Sequence, residues 1–525
     1  MKSLCRIFCL LAVLLAVGCT GGSRMPDLPQ SPVVVLFESD AHCAVDGYAR
    51  MAALKAEQAA GTPYVTVVSS GDFVQGGVTG SVTRGESIIG IMNLVGYDLV
   101  ALGNHEFDYG MPRLMEMARD LKAEELCANF TSLENDRPVF KPYNIINYGE
   151  CDIAFIGIIT PSTATSVSPN TFTDSSGNPA YSFNLKNLLP KTQYWIDQAR
   201  KQGADYVVLL SHLGAVKDGD SSTSVELVKG ITGIDVVLDG HSHSFIPDSV
   251  ILDRKGSPVL LSSAGYEFAH IGKLVLSTDG KFSCEHFATG TLPADSTVAA
   301  FTEKVQNEVL AAGEKVVGKI ENDMPALDQE KNWLVRDRQM AIGTFCADAF
   351  RTVLGTDIAM VNGGGIRSGL KAGKITYNDL LSVFPFGNNA CTVSLTGAQL
   401  IDILEVSVRY LPLSSGSFMQ VSGLRYAVDT TVASPVVMGE DGLFHHIAQG
   451  APRRISSVEV YDKSLGRYLP AVADKTYTLG GIDYNLIKLG SEGMFRYTTP
   501  LQTNLGLDVD ILAAFVTSSS CTTRR

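Results

Sequence analysis

The chain has no surplus of positive charge and no CxxC pair. Beyond its first twenty residues it also has no uninterrupted apolar run of the ~18–20 residues that span a bilayer. Each absence removes a class of protein. With 42 Lys+Arg against 55 Asp+Glu the net charge is −13, which argues against a binder of nucleic-acid polymers, because such proteins carry basic faces. An anionic substrate must then be met by local cations, either bound metals or particular arginines, since the overall field does not attract it. Seven cysteines remain after the leader region and Cys19 (Cys43, Cys127, Cys151, Cys284, Cys346, Cys391 and Cys521). They are scattered, odd in number and allow at most three bridges, so neither a disulfide framework nor a zinc–thiolate site is expected. No internal repeat or low-complexity tract is present.

What is there begins with a leader. Lys2 and Arg6 precede an apolar stretch at 7–17, followed by Gly18-Cys19 and Thr20-Gly21-Gly22-Ser23. A basic n-region, an apolar h-region and small residues at the end read as an export signal. Leu15-Ala16-Val17-Gly18-Cys19 resembles a bacterial lipobox, with Ala16 where Leu is commoner, so residues 1–19 are expected to be a lipoprotein signal in which Cys19 becomes the lipidated first residue of the mature chain. Ordinary cleavage to a free periplasmic protein is the alternative. The expected location is the periplasm or cell surface, anchored to a membrane by lipid.

At 525 residues and 45% hydrophobic, the chain has enough apolar mass for two domains. From 31 to 294, apolar strands at 33–37, 64–69, 99–102, 153–158, 206–210, 236–238 and 258–261 alternate with helix-length segments at 49–60, 86–95, 111–122 and 191–202. This alternation predicts an α/β domain with its function at strand carboxyl ends. A single helix over 298–317 has the position of a connector, within a linker assigned to 295–330. A second, smaller α/β domain is expected over 331–505, with a helix at 340–354, a strand at 358–361 and a glycine turn at 363–365. The stretch 506–525 is expected to be a frayed tail.

Five fragments close strands of the first domain with metal-type ligands: Asp40-Ala41-His42, Gly71-Asp72, Gly103-Asn104-His105-Glu106, Ser211-His212 and Gly240-His241-Ser242-His243. In extended backbone, Asp-x-His and His-x-His put two ligands on one face. One such fragment is commonplace, but five in this order predict a two-metal hydrolase. A carboxylate has two oxygens, so Asp72 suits a bridge between cations. Asp40, His42 and one imidazole of the His-x-His pair would complete one metal, and Asn104, His212 and the other imidazole the second. Such N/O sets suit Zn, Mn, Co or Fe without choosing among them. Two cations about 3.5–4 Å apart clamp both ends of an in-line displacement at phosphorus. Asn104 and His105 are adjacent and point apart, which frees His105 for acid or charge-stabilising work with Asp108 three residues on. Glu106 and Phe107 are expected to pack. His270, His286, His445 and His446 match no ligand spacing, and Cys43 is read as a small buried neighbour of His42.

In that order, and with Gly-Asn-His-Glu-Phe-Asp at 103–108, the motifs resemble the metallophosphoesterase domain of the 5′-nucleotidase / UDP-sugar hydrolase family. Asn362-Gly-Gly-Gly-Ile-Arg367-Ser and Phe384-Pro-Phe386-Gly-Asn388 are similar to that family's substrate domain, so the resemblance covers 33–495. It implies a four-layer αββα catalytic domain, a helical linker, a smaller α/β substrate-binding domain and a rotation that carries substrate to the metals. It implies Asp40, His42, Asp72, Asn104, His212, His241 and His243 as metal ligands and His105 with Asp108 as the catalytic pair. Arg336, Arg367 and Asn362 are implied to hold the nucleotide, and Phe386 to form one wall of an aromatic clamp. Tyr484 is the choice for the second ring and Glu492 for an acid the family has as Asp. Cys43, where the family has glycine, and the altered segment 336–343 are departures. The expected activity is release of phosphate from nucleotides. A 2′,3′-cyclic-nucleotide phosphodiesterase with 3′-nucleotidase activity, a UDP-sugar pyrophosphatase and a non-catalytic nucleotide-binding lipoprotein are the alternatives.

Overall fold

The computed structural model describes residues 26–518 except 168, 175, 177, 217–221, 312 and 440. The expected leader, Cys19 and Cys521 therefore lie outside the described residues. The catalytic half is built on two six-stranded sheets. In the first, Phe282–Ala288, His270–Leu276, Val33–Glu38, Val65–Ser69, Leu99–Ala101 and Glu124–Leu126 lie side by side in that order. The last four run parallel. In the second, the order is Phe245–Leu252, Pro258–Ala264, Val236–Asp239, Tyr206–His212, Cys151–Ile159 and Tyr143–Tyr148, with the central four parallel.

The sheets face each other because their strands are apolar on both sides, as strands of a doubly covered sheet must be. Alternation does the sorting. Val33, Val35 and Phe37 point into the seam between the sheets, against Phe155, Val208, Leu210 and Leu238. Val34 and Leu36 point outward to Tyr48, Met51, Leu54 and Ile88 on the covering helices. The helix Leu188–Lys201 covers the outer face of the second sheet through Leu188, Ile196 and Ala199. The result is the four-layer αββα arrangement anticipated above.

The connector differs from expectation. Its helix is Ser296–Ala311, started by Asp295, whose carboxylate accepts the N–H groups of Thr297 and Val298 at 2.9 Å. Residues 316 and 317 do not extend it. They open the strand Val316–Ile320, which pairs with Gly373–Thr376 of the second domain. Two adjacent β-branched valines after Gly313 favour that extended pairing over another helical turn.

The second domain has a five-stranded sheet in the order Met419–Ser422, Ile358–Asn362, Thr476–Ile482, Ala390–Thr396 and Thr499–Gln502. The helix Ala341–Leu354 packs on one face and Gly397–Ser407 on the other. The expectation of a frayed tail after 505 is wrong for its first part. Asp508–Thr517 is a helix that buries Val509, Ile511, Leu512 and Val516 in the second domain's core. Asp508 and Asp510 in its first turn suit the positive end of the helix dipole. Among the described residues, no helix is long and apolar enough to cross a membrane. Cys43, Cys127, Cys151, Cys284, Cys346 and Cys391 are all free thiols.

Candidate metal centre and active site

The carboxyl ends of the parallel strands in both sheets open at the same edge of the sandwich, and the five fragments lie there. The side chains of Asp40, His42 and His243 bring one donor atom each within 4.8 Å of one another, and those of Asp72, His212 and His241 do the same. Each group takes residues from both sheets. The backbone is bent sharply to achieve this: Asp40, His42, Asp72, His241 and His243 have φ of 52°, 45°, 61°, 72° and 54°. Left-handed backbone costs a non-glycine residue roughly 1–2 kcal/mol, and such conformations cluster at functional sites. A Cβ on Gly103 would stand 2.2 Å from the Asp72 carboxylate, so only glycine fits there.

The hydrogen bonds aim the donors inward. His42 Nδ1–H donates to the Gln75 carbonyl at 2.9 Å and His212 Nδ1–H to the Ser70 carbonyl at 2.7 Å. Each bond turns Nε2 toward the centre, the usual way an outer partner orients a metal-binding imidazole. His42 Nε2 lies 3.0 Å from His243 Nε2. Burial depresses both, His42 to about 3 and His243 well below its ordinary value, so both rings are held neutral, the form that binds a metal. The Asn104 side-chain oxygen is buried with no hydrogen-bond partner among the described residues. Among these ring nitrogens sits concentrated negative charge. Burial alone would lower His212, yet Asp72, 3.0 Å away, together with Asp40 and Glu106, drives it up to about 10. Imidazole nitrogens turned inward, an orphaned amide oxygen and concentrated carboxylate charge fit a pair of divalent cations.

Glu106, read from sequence as packing only, organises the turn. Its carboxylate accepts backbone N–H groups from Asp72, Phe73, Val74 and Gly103 at 2.8, 2.8, 3.3 and 2.6 Å. Its spacing did not announce this, because three of the four donors, Asp72, Phe73 and Val74, lie on another loop. Cys43 is buried and its thiol turns to the Val74 carbonyl at 3.1 Å, away from the donor groups.

His105 stands beside this centre. Its backbone N–H donates to Asp72 Oδ1 at 2.8 Å and its Nδ1–H to Asp108 Oδ2 at 2.6 Å. Burial disfavours its charged form, but Asp108 and Asp72 outweigh that and raise it above the usual histidine value. Asp108 is itself raised by burial, against the pull of His105.

Across from the donors lies the second domain, and the cleft between the two domains has a volume of about 2450 Å³. Its walls include Asp72, Asn104, His105, Asp108, His241 and His243 from one side. Arg336, Asn362, Arg367, Phe386, Tyr484 and Glu492 line the other. Asp40, His42 and His212 lie behind that wall. The domains touch directly: Ser81 Oγ donates to the Pro385 carbonyl at 2.7 Å, and the Phe386 ring stacks on His105 with centroids 5.8 Å apart. Arg367 is lowered by burial, while Asp72, Asp108, Glu267 and Asp40 pull it back.

Asn362 is tied by Asn485, whose amide donates to its Oδ1 at 3.0 Å. The Tyr484 hydroxyl accepts the Ser491 N–H at 3.3 Å. Glu492 lines the cleft but pairs with Arg409, 3.1 Å away, a residue that sequence reasoning did not single out. Trp333, Tyr266 and Lys331 also line the cleft and were likewise missed.

Residues 33–245 match the calcineurin-like phosphoesterase family and residues 316–498 the 5′-nucleotidase C-terminal domain. The chain belongs to the metallophosphoesterases that carry a 5′-nucleotidase C-terminal domain. Among curated relatives it is 27% identical over 420 residues to a 5′-nucleotidase of Vibrio cholerae, covering 71% of this chain and 73% of that one. It is 24% identical over 513 residues to protein UshA of Escherichia coli, covering 89% and 85%. Against the trifunctional nucleotide phosphoesterase protein YfkN of Bacillus subtilis, identity is 26% over 449 residues. That match covers 76% of this chain but only 29% of the larger protein. Among solved structures, a 5′-nucleotidase precursor of Thermus thermophilus superposes with a TM-score of 0.77 at 23% identity, covering 93% and 96%. A sulfate thiohydrolase, SoxB of Thermus thermophilus, superposes at 0.68 with 18% identity, covering 93% and 94%. The fold therefore hosts more than one chemistry, and the substrate has to be argued from the site.

Proposed function

We propose that this member of the family is a two-metal phosphohydrolase that releases phosphate from nucleoside 5′-phosphates, exported and held to a membrane through a lipid on Cys19. The observation that carries the reading is one cleft joining two groups of three metal-type donors and a His–Asp pair to Arg336 and Arg367.

Asp40, His42 and His243 would hold one divalent cation, and His212, His241 and Asn104 the other, with Asp72 between them. Bound there, the pair supplies Lewis acidity at phosphoryl oxygen and activation of water at neutral pH. The donor set does not select among Zn, Mn, Co and Fe. The remaining work falls to side chains. His105, its Nδ1 committed to Asp108, turns its other ring nitrogen to the cleft as a charged donor. There it stabilises the phosphoryl oxygens in the transition state or delivers a proton to the leaving oxygen as the phosphorus–oxygen bond breaks. Such a positioned acid is worth about 10²–10⁴ in rate. Arg336 and Arg367 give charge-assisted bonds to substrate oxygens, which a −13 protein otherwise lacks. Phe386 and Tyr484 offer ring faces to the base, a contact worth roughly 1–3 kcal/mol and tolerant of base identity. Glu492, held by Arg409, suits a ribose hydroxyl.

The test is phosphate release from AMP, ATP, UDP-glucose, 2′,3′-cAMP and 3′-AMP, with and without added Mn²⁺ or Zn²⁺. Fastest metal-dependent turnover on AMP is expected. Preference for the cyclic or 3′ substrate, or for UDP-glucose, would replace this reading with another activity on the same centre. Lipidation is checked by Cys19→Ser, which should release the mature protein from membranes.

A further inference from the structure

Both cleft arginines lean on one ring. The Arg336 guanidinium carbon lies 4.8 Å from the centroid of the Trp333 indole, and that of Arg367 lies 5.2 Å from it. The two arginines come from different segments, Arg336 from the turn Leu334–Arg336 and Arg367 from the loop after Gly363–Gly365. These segments are pressed together, since a Cβ on Gly363 would stand 2.1 Å from the Val335 carbonyl oxygen. Two guanidinium groups leaning on one ring repel each other, and the carboxylates of Asp72, Asp108, Glu267 and Asp40 favour the charge on Arg367. The negative face of the indole attracts both groups at once and gives them a common surface to lean on.

Trp333 is itself held by a small hairpin. Asp328 accepts the N–H groups of Glu330 and Asn332 at 2.9 and 2.8 Å. Leu327 then bridges Trp333, and Leu334 N–H donates to the Ala326 carbonyl at 3.0 Å. The same hairpin carries Lys331, whose ammonium lies 5.1 Å from the centroid of the Tyr266 ring. Tyr266 in turn stacks on His243 with centroids 4.7 Å apart. The segment therefore reaches from the arginines to the donor groups of the other domain.

We infer that Trp333 is the positioning residue of the anion site: one indole sets the spacing of Arg336 and Arg367 and holds them toward the metal centre in advance of substrate. This deepens the nucleotide-hydrolysis reading and rests on it for the identity of the anion.

The chain has two tryptophans. Trp195 lies outside the cleft against Tyr143 and Tyr194, so Trp195→Phe leaves Trp333 as the sole reporter. Trp333→Leu keeps an apolar side chain but removes the ring face, and Trp333→Phe keeps a ring. With metal-loaded protein and AMP, Trp333→Leu should raise KM about 5- to 30-fold, the range of one or two cation–π contacts. It should leave kcat within about threefold, and Trp333→Phe should recover most of the loss. In the double variant with Arg367→Ala, the effects should fall short of multiplying, because the indole acts through the arginine. Equal KM in the Leu and Phe variants, or effects that multiply fully, would overturn the inference.

A second readout needs no turnover. In the Trp195→Phe protein, titration with inorganic phosphate should change Trp333 emission saturably, and Arg367→Ala should weaken that response. Absence of a saturable change overturns the inference whatever the turnover. A protein whose emission responds but which hydrolyses none of the panel keeps the positioning role and loses only the nucleotidase reading.

Discussion

Replacing Glu106 by Gln tests the metal centre through a residue that touches neither substrate nor metal. The carboxylate accepts four backbone N–H groups, three from the Asp72–Val74 turn and one from Gly103. An amide of the same shape has one accepting oxygen, so at least one flank of the turn meets an NH₂ group instead of an acceptor. Hydrogen bonds to a charged acceptor contribute about 1.5–3 kcal/mol each, and a buried N–H left unpaired costs about 1–3. Losing two bonds gives an upper limit of roughly 3–6 kcal/mol before the loop relaxes. What the turn loses is control of Asp72, which sits at φ 61° and would relax toward ordinary backbone. Outer partners of metal ligands typically govern 10–100-fold in metal affinity. Glu106→Gln should therefore weaken the group built on Asp72, His212 and His241 about 10–100-fold. The group on Asp40, His42 and His243 shares Asp72 but keeps its own carboxylate in Asp40, so it should change less. A two-step metal titration by calorimetry, with metal content by mass spectrometry, separates the two. Wild-type affinity in both steps would refute the role assigned to Glu106, and equal weakening of both would refute its assignment to the Asp72 side.

Three further outcomes are expected. His105→Ala should cut kcat about 10²–10⁴-fold with metal content unchanged; loss of metal in that variant would show that Asn104 and His105 do not divide the work as argued. Glu125, buried beside Glu106 and Glu124, is pushed by burial up to about 8. A carboxyl raised in the folded state favours folding below its unfolded pKa and loses that contribution as pH rises through the folded value, at most about 1.4 kcal/mol per pH unit. Glu125→Gln should thus be more stable than wild type at pH 8.5 and lose the advantage toward pH 5, read from denaturant midpoints across that range. Chelation should lower thermal stability and readdition of Mn²⁺ or Zn²⁺ restore it, since ligand at 100 times its Kd contributes about 2.7 kcal/mol; identical melting curves with and without chelator would argue against the donor groups as metal sites.

The catalytic half was legible because its parallel strands are short, apolar on both faces and end in recognisable donors. The ligand fragments sit beside their strands in sequence, so local reading found them. What escaped depends on contacts distant in the chain. Glu106 receives hydrogen bonds from residues more than thirty positions away, and Trp333 meets arginines from two loops. The helix Gly77–Thr83 was unreadable because glycine and β-branched residues disfavour it locally. In the fold, Ser81 ties it to Pro385 of the other domain. The helix Asp508–Thr517 was hidden among small polar neighbours, and only the core it covers shows why it forms.

Asp40 and His42 follow a strand of one sheet, while His243 arrives some two hundred residues later from the other, and the same division separates Asp72 from His212 and His241. Neither half-site exists on a nascent or half-assembled chain. Cation capture must follow long-range closure of the sandwich, so a polypeptide that crosses a membrane unfolded cannot carry its ions across. It would acquire them from the compartment in which it finishes folding, and the supply there would decide which metal it keeps.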